Sequence, residues 1–460
     1  MILRLVGFLA YTEVRLPHEH FSVNKLGHLV LDGYDLVELA ERFGTPLYVV
    51  SEGRLRENYR QLAETFKTHY PEETIIAYAV KANFTLAIIR IFALEGAWAE
   101  TFTGPEFHMA LMAGVKPENI LLTGTSRGEA DFKEALEAGV GLIVADSLPE
   151  LYRVSRAAEE LGDKARVLIR VNPALEVPTH PSIATGVRGT KFGIDIPSGD
   201  AFKAFEEALA LEGIIVLGVH THIGSRIMRV EPFLETARRV VDFIGELNGR
   251  LGFKPEYLDL GGGFGIPYRP EEFDEVLDFN LLAKSLSKII VEEFRRLGLQ
   301  LPKLVFEPGR SLVADAELLL AKVGNVKETP AGKYIFLDAS TNHLTPVLLV
   351  DQYFEIILAN KVNKKIEETV NFAGPLCFTG DIIALNRRIP KVETGDLAAI
   401  LSVGAYCKSS YMAHNAQPKP PTVMLSKHGA EIVQRGQTLG DLLAHDVIPP
   451  RLYHAFVEPS

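Results

Sequence analysis

The chain has 460 residues, 47% of them hydrophobic and 23% charged, with a formal net charge of -11. That length supports a large core and two or more domains, and the acidic balance argues against the concentrated Lys and Arg surface that grips a phosphate backbone, so nucleic acid is not an expected partner. Two cysteines, Cys377 and Cys407, exclude a disulfide framework and point to a reducing, cytoplasmic setting.

The opening MILRLVGFLAYTEV has a short apolar run after one Arg, too short to cross a membrane and not followed by a small-residue cleavage site. It reads as an N-terminal strand or an irregular start, and no membrane association is expected. Residues 1–44, including HLVLDGYDLVELAERFGT, precede the regular part of the chain and are expected to pack with a later domain. From PLYVV at 46–50, β-branched apolar runs alternate with amphipathic stretches, the pattern of parallel βα units. PLYVV leads into eight runs near 75–80, 97–101, 120–123, 142–145, 166–171, 214–221, 256–260 and 303–306. The intervening stretches, among them EADFKEALEAG, SLPELYRVSRAAEELG and LETARRVVDFIGELNGRLG, have apolar residues at helical spacing and several close on Gly. Eight such pairs over about 270 residues predict an α/β fold, a (β/α)8 barrel of the triosephosphate isomerase type spanning 45–315. Beyond it AELLLAKVGNV, KYIFLD, TVNFAG and DLAAILSVGAY follow one another without long helices, which predicts a mostly β domain over 316–460.

In such a barrel chemistry collects at the C-terminal ends of the strands. The first run ends in Tyr78-Ala79-Val80-Lys81-Ala82-Asn83, which places Lys81 at the mouth. It is either a snorkelling surface lysine or a Schiff-base lysine made nucleophilic by burial that lowers its pKa. The run GIIVLGVH ends in His220-Thr221-His222-Ile223-Gly224-Ser225. These histidines are a metal pair, two residues on alternate faces, or, for His222, a plate against an aromatic cofactor with Ser225 donating to a phosphate. A metal site needs more ligands than the sequence displays, so no metal is expected. Leu260-Gly261-Gly262-Gly263-Phe264-Gly265 follows the next run and lets the backbone approach an anion, although it matches neither a dinucleotide fingerprint nor a Walker loop. The last run, KLVF, ends in Glu307-Pro308-Gly309-Arg310, either a tight turn with an exposed ion pair or a carboxylate for a protonated ring nitrogen. A lysine, a stacking histidine, a glycine turn for phosphate and a carboxylate for a pyridine nitrogen are together the needs of pyridoxal 5'-phosphate.

On DGYDLVELAERFGTPLYVV, YAVKAN, RVNP, ATGVRGTKFG, HTHIGS, LGGGFGIPY, FEPGR, GPLCFTGD and GAY, residues 28–450 resemble the fold-type III pyridoxal-phosphate decarboxylases, and among them the diaminopimelate decarboxylases. The resemblance implies an alanine racemase-like barrel with a β-sandwich or β-barrel second domain. It implies that Lys81 is the covalent lysine, that His222 stacks on the ring, that Glu307 meets the ring nitrogen, and that Ser225, Gly262, Gly263, Gly309, Arg310 and Tyr406 surround the phosphate. It also implies that Cys377 is the proton donor, reaching the neighbouring subunit's site in a homodimer. On its own residue type Cys377 is also readable as a small buried hydrophobe, the reading taken for Cys407.

Three departures concern the substrate. Where the family has Arg-Pro-x-x-Tyr for a distal carboxylate, this chain has Thr345-Pro346-Val347-Leu348-Leu349; where Glu follows the catalytic Cys, it has Phe378; and the usual Tyr-Asn after GAY is His414-Asn415. Arg310, Thr345, Leu349, Phe378, His343 and Tyr406 are therefore the expected substrate-pocket residues. Two readings follow: diaminopimelate decarboxylation in lysine synthesis with distal contacts from His343, Arg226 or Lys408, or decarboxylation of a distally modified or carrier-linked amino acid. A racemase, which uses a tyrosine on the opposite ring face, and a non-catalytic cofactor carrier, a barrel without a second domain, fit less well.

Overall fold

The computed structural model describes residues 14–177 and 179–452, so the reading of residues 1–13 lies outside the described residues. Eight strands, Thr74–Ala79, Trp98–Thr101, Ile120–Leu122, Leu142–Ala145, Ala165–Asn172, Ile214–His220, Tyr257–Asp259 and Lys303–Phe306, pair in parallel, and the last closes on the first. Side chains alternate across each strand. Ile75, Ala77, Leu121, Leu142, Val144, Leu168, Tyr257 and Val305 fill the barrel interior, while Ile76 and Tyr78 join the cluster beneath the helices. The helices start and stop where side-chain chemistry dictates: Asp278 caps Phe279–Arg296 by accepting the Leu281 N–H, and Gly252, in the left-handed region, ends Glu231–Leu251.

The second domain is a β structure built on the long strand Glu317–Thr329, flanked by Gly332–Leu337, Leu397–Ile400 and Leu47–Ser51. Here the structure corrects the expected boundary at residue 45. Leu47–Ser51, placed by its sequence at the head of the barrel, pairs antiparallel with Glu317–Thr329 and parallel with Thr422–Ser426. All five of its residues are buried, and a strand buried on both faces reads the same in either sheet. The preceding segment packs there too, with Phe21, Leu29, Leu31, Leu36 and Leu39 against Leu47, Val49, Leu318, Leu320 and Ile357.

A buried ion pair within the β domain is tied to the barrel through Asn83. Lys408 Nζ lies 2.8 Å from Glu317 Oε1, and Asn83, two residues beyond Lys81, donates to Glu317 Oε2 at 2.9 Å and to the Gly404 carbonyl at 2.9 Å. Lys408 was a candidate for a distal substrate contact; the structure commits it to this joint instead. Removing one partner of such a pair strands the other charge away from water, so Lys408→Met is expected to cost about 3–5 kcal/mol in denaturant unfolding, with Glu317→Gln in the same chain restoring part of it.

Candidate active site

The strand ends of the barrel carry a continuous set of buried polar groups. Lys81 sits in the single helical turn Val80–Ala82 after the first strand, where its ammonium pairs with Glu100 Oε2, at the end of the second strand. Glu100 is 1% exposed, and its other oxygen accepts from Thr123 Oγ1 after the third strand. Burial alone pulls the Lys81 amine down, but Glu100 and then Glu307 outweigh it and raise it above the usual lysine range. This corrects the expectation that burial lowers it: a cation between two carboxylates is stabilised more than desolvation costs.

His222 is neutral. Burial first, then the charges of Arg170 and Lys81, press it down to about 3, and its Nδ1 accepts the Gly262 N–H at 3.1 Å, which leaves the ring proton on Nε2. The glycines here answer to close approach. A Cβ on Gly262 would lie 2.1 Å from the Glu307 carbonyl oxygen, and one on Gly263, whose φ is +96°, would lie 2.2 Å from that of Gly224. On Gly309 it would meet the Ala82 Cβ at 2.9 Å, so that glycine lets the Arg310 turn close on the lysine turn. Arg310 is buried, with Nη1 donating to the Tyr268 hydroxyl at 2.8 Å, Nη2 donating to Ser225 Oγ at 3.4 Å, and its guanidinium 4.9 Å from the Tyr406 ring centroid. Tyr406 comes from the β domain, and its N–H donates to the Ala82 carbonyl at 2.8 Å, so the second domain supplies one wall beside Lys81.

Glu307 follows the last strand and is 5% exposed. Burial would raise its carboxyl, but His220 and then Lys81 prevail and hold it at about 2. Thus Lys81, His222, Ser225, Gly262, Gly263, Glu307, Gly309, Arg310 and Tyr406 are brought to one mouth. The strand-end test extends to Glu100, which ends its own apolar run, and to Asp259 before the glycines; neither was singled out in the sequence. Tyr268 lay inside the LGGGFGIPY motif without an assigned role.

The expected substrate-pocket residues divide. Cys377 is exposed on the loop after Glu368–Ala373, where its N–H donates to Asn415 Oδ1 at 2.8 Å, and the Phe378 ring meets His414 edge-on at 5.5 Å. Leu349 is 57% exposed, on the short helix Pro346–Val350. Thr345 and His343 are not at a surface: both are fully buried. His343 Nδ1 accepts the Ser340 N–H at 3.0 Å, its carbonyl accepts from the Tyr48 hydroxyl at 2.9 Å, and burial presses its ring down to about 4. A neutral, enclosed imidazole cannot meet a distal carboxylate, so the structure corrects the expectation for His343. Arg226 instead donates through Nη1 to the Val350 carbonyl at 3.3 Å, tying a barrel loop to that short helix.

Glu307 Oε1 and Arg310 Nε are buried without a hydrogen-bond partner. An acceptor and a guanidinium left open in this way fit a protonated ring nitrogen and a phosphate, with the glycine turn clearing the approach. Fold and site together define a barrel enzyme that works with pyridoxal 5'-phosphate. Residues 53–314 match the family described as pyridoxal-dependent decarboxylase, pyridoxal binding domain. The diaminopimelate decarboxylase of Methanocaldococcus jannaschii is 40% identical over 432 residues, 93% of this chain and 97% of the relative, and that of Aquifex aeolicus is 35% identical, covering 89% and 93%. A crystal structure of the M. jannaschii enzyme superposes with a TM-score of 0.88 at 38% identity, over 95% of this chain and 99% of that one, and a second is a co-complex with L-lysine. The chain belongs to the pyridoxal-dependent decarboxylases, in their diaminopimelate decarboxylase branch, and is a pyridoxal-phosphate-dependent carboxy-lyase.

Proposed function

We propose that this enzyme removes the α-carboxylate of an amino acid of the diaminopimelate class, converting meso-diaminopimelate to L-lysine and CO2. The observation that carries the reading is the 40% identity to a diaminopimelate decarboxylase across 93% of the chain. Pyridoxal phosphate, when bound, supplies the electron sink for the pair left on the α-carbon as CO2 departs. Lys81 Nζ would hold the cofactor covalently, and Glu100, paired with it, would keep the freed amine as an ammonium. His222 would lie against the ring, Glu307 would accept its N–H, and Ser225, Gly262, Gly263, Gly309, Arg310 and Tyr406 would enclose the phosphate. Cys377 Sγ delivers a proton to the α-carbon. The exposed position of Cys377, fixed to Asn415, supports a homodimer in which each loop serves the neighbouring site. No helix among the described residues is long and apolar enough to cross a membrane, and a cytoplasmic biosynthetic role accords with the two unpaired cysteines.

One set of observations favours a second reading, a substrate whose distal end is modified or carrier-linked. Leu349 and Phe378 are apolar and partly exposed, where the family places a hydroxyl and a carboxylate, and a desolvated charge without partners costs several kcal/mol. Assays of CO2 release from meso-diaminopimelate, lysine, ornithine, arginine and conjugated amino acids decide between them. Turnover of meso-diaminopimelate, with Cys377→Ala lowering kcat by about 10²-fold or more as expected for a lost proton donor, supports the first. Inertness toward it, with turnover of a conjugate, overturns it.

A further inference from the structure

Behind Glu307 lies a polar cluster that the proposed chemistry does not use. His220, Asp259 and Glu307 end three successive barrel strands, are 1%, 0% and 5% exposed, and bring one ligand-capable atom each within 4.8 Å of one another. His220 Nε2 lies 3.3 Å from Glu307 Oε1, within ion-pair range but without hydrogen-bond alignment. Asp259 Oδ1 accepts the Gly261 N–H at 2.8 Å, whereas Asp259 Oδ2 and both ring nitrogens of His220 have no partner. Two ionised carboxylates cannot share so dry a space, and one must carry a proton.

We propose that His220 and Asp259 are positioning residues for Glu307: His220 Nε2, 3.3 Å from Glu307 Oε1, holds the carboxylate as the acceptor for the ring nitrogen, and Asp259 closes the same buried cluster from the neighbouring strand. This rests on the role given to Glu307 above. The surroundings agree with it. Lys81 and His222 face Glu307 from the first and sixth strand ends, and Arg170 and Glu100 act on Asp259 from the fifth and second. Burial and then the charge of Glu307 push Asp259 well above the carboxylate range.

The test measures pyridoxal-phosphate affinity of the cofactor-free protein, by equilibrium dialysis and by the absorbance of the bound cofactor, from pH 6 to 8.5. In His220→Gln the Glu307 carboxylate loses its nearest partner and takes up a proton more readily, so pyridoxal phosphate is expected to bind less tightly, with the variant-to-wild-type ratio of dissociation constants larger at pH 6 than at pH 8.5. Asp259→Asn replaces a neutral carboxyl by a neutral amide and is expected to keep the pH dependence of wild type, whatever its absolute affinity. A His220→Gln ratio constant with pH, an Asp259→Asn profile displaced like that of His220→Gln, or one equivalent of zinc held tightly by the cofactor-free wild type would each overturn the assignment. Glu307→Gln separates the two levels: if it binds and turns over like wild type, the role of Glu307 itself is wrong, whereas a damaged Glu307→Gln beside a flat His220→Gln ratio removes only the inference about His220 and Asp259.

Discussion

Lys81→Ala is expected to abolish the stable, coloured complex with pyridoxal phosphate and to lower decarboxylation by at least about 10³-fold, as for loss of a covalent catalytic group. The lysine is held at the end of its strand by the turn Val80–Ala82 and poised by Glu100. Free amines added to the medium replace the nucleophile but not its position, so they are expected to restore only a small part of the rate. The substitution also leaves Glu100, 1% exposed, with Thr123 as its remaining hydrogen-bond donor and no ammonium. A buried carboxylate without its cation is costly, so the variant is expected to unfold at lower denaturant than wild type. Spectra and denaturant unfolding check both effects. An Ala variant that retains the bound-cofactor absorbance would remove Lys81 from the site.

The second large effect is expected at Arg310. Its guanidinium donates to Tyr268 and Ser225 and faces the Tyr406 ring, so it positions two candidate phosphate-side groups, Ser225 and Tyr406, as well as offering the free Nε. Charge-assisted hydrogen bonds contribute about 1.5–3 kcal/mol each, so Arg310→Met is expected to weaken pyridoxal phosphate binding by about 10²-fold. Arg310→Lys keeps the charge but not the planar fork and is expected to recover only part of the loss. Pyridoxal without its phosphate discriminates further: its affinity is expected to be nearly the same in wild type and Arg310→Met. If both forms lose pyridoxal equally, Arg310 acts on the fold and not on the phosphate.

The sequence by itself determined the barrel, its eight strands and most of its mouth, because two local rules carry that information: apolar runs of strand length alternate with helical periodicity, and reactive side chains follow directly on the strand ends. Lys81, His222, Gly262, Gly263, Glu307 and Arg310 are all found by that rule. What only the tertiary structure decided were relations between distant parts of the chain. Leu47–Ser51 belongs to the β domain because its partners are Glu317–Thr329 and Thr422–Ser426, far along the sequence. His343 reads as an available polar residue, yet Ser340, Tyr48 and the β-domain core enclose it. Lys408 likewise turns out to be spent on Glu317. The charge states follow the same division, since residue type gives the ordinary pKa but only the placement of Glu100 and Glu307 around Lys81, and of His220 and Asp259 around Glu307, shows which charge prevails. Burial and Coulomb terms depend on through-space distance, which local periodicity does not encode.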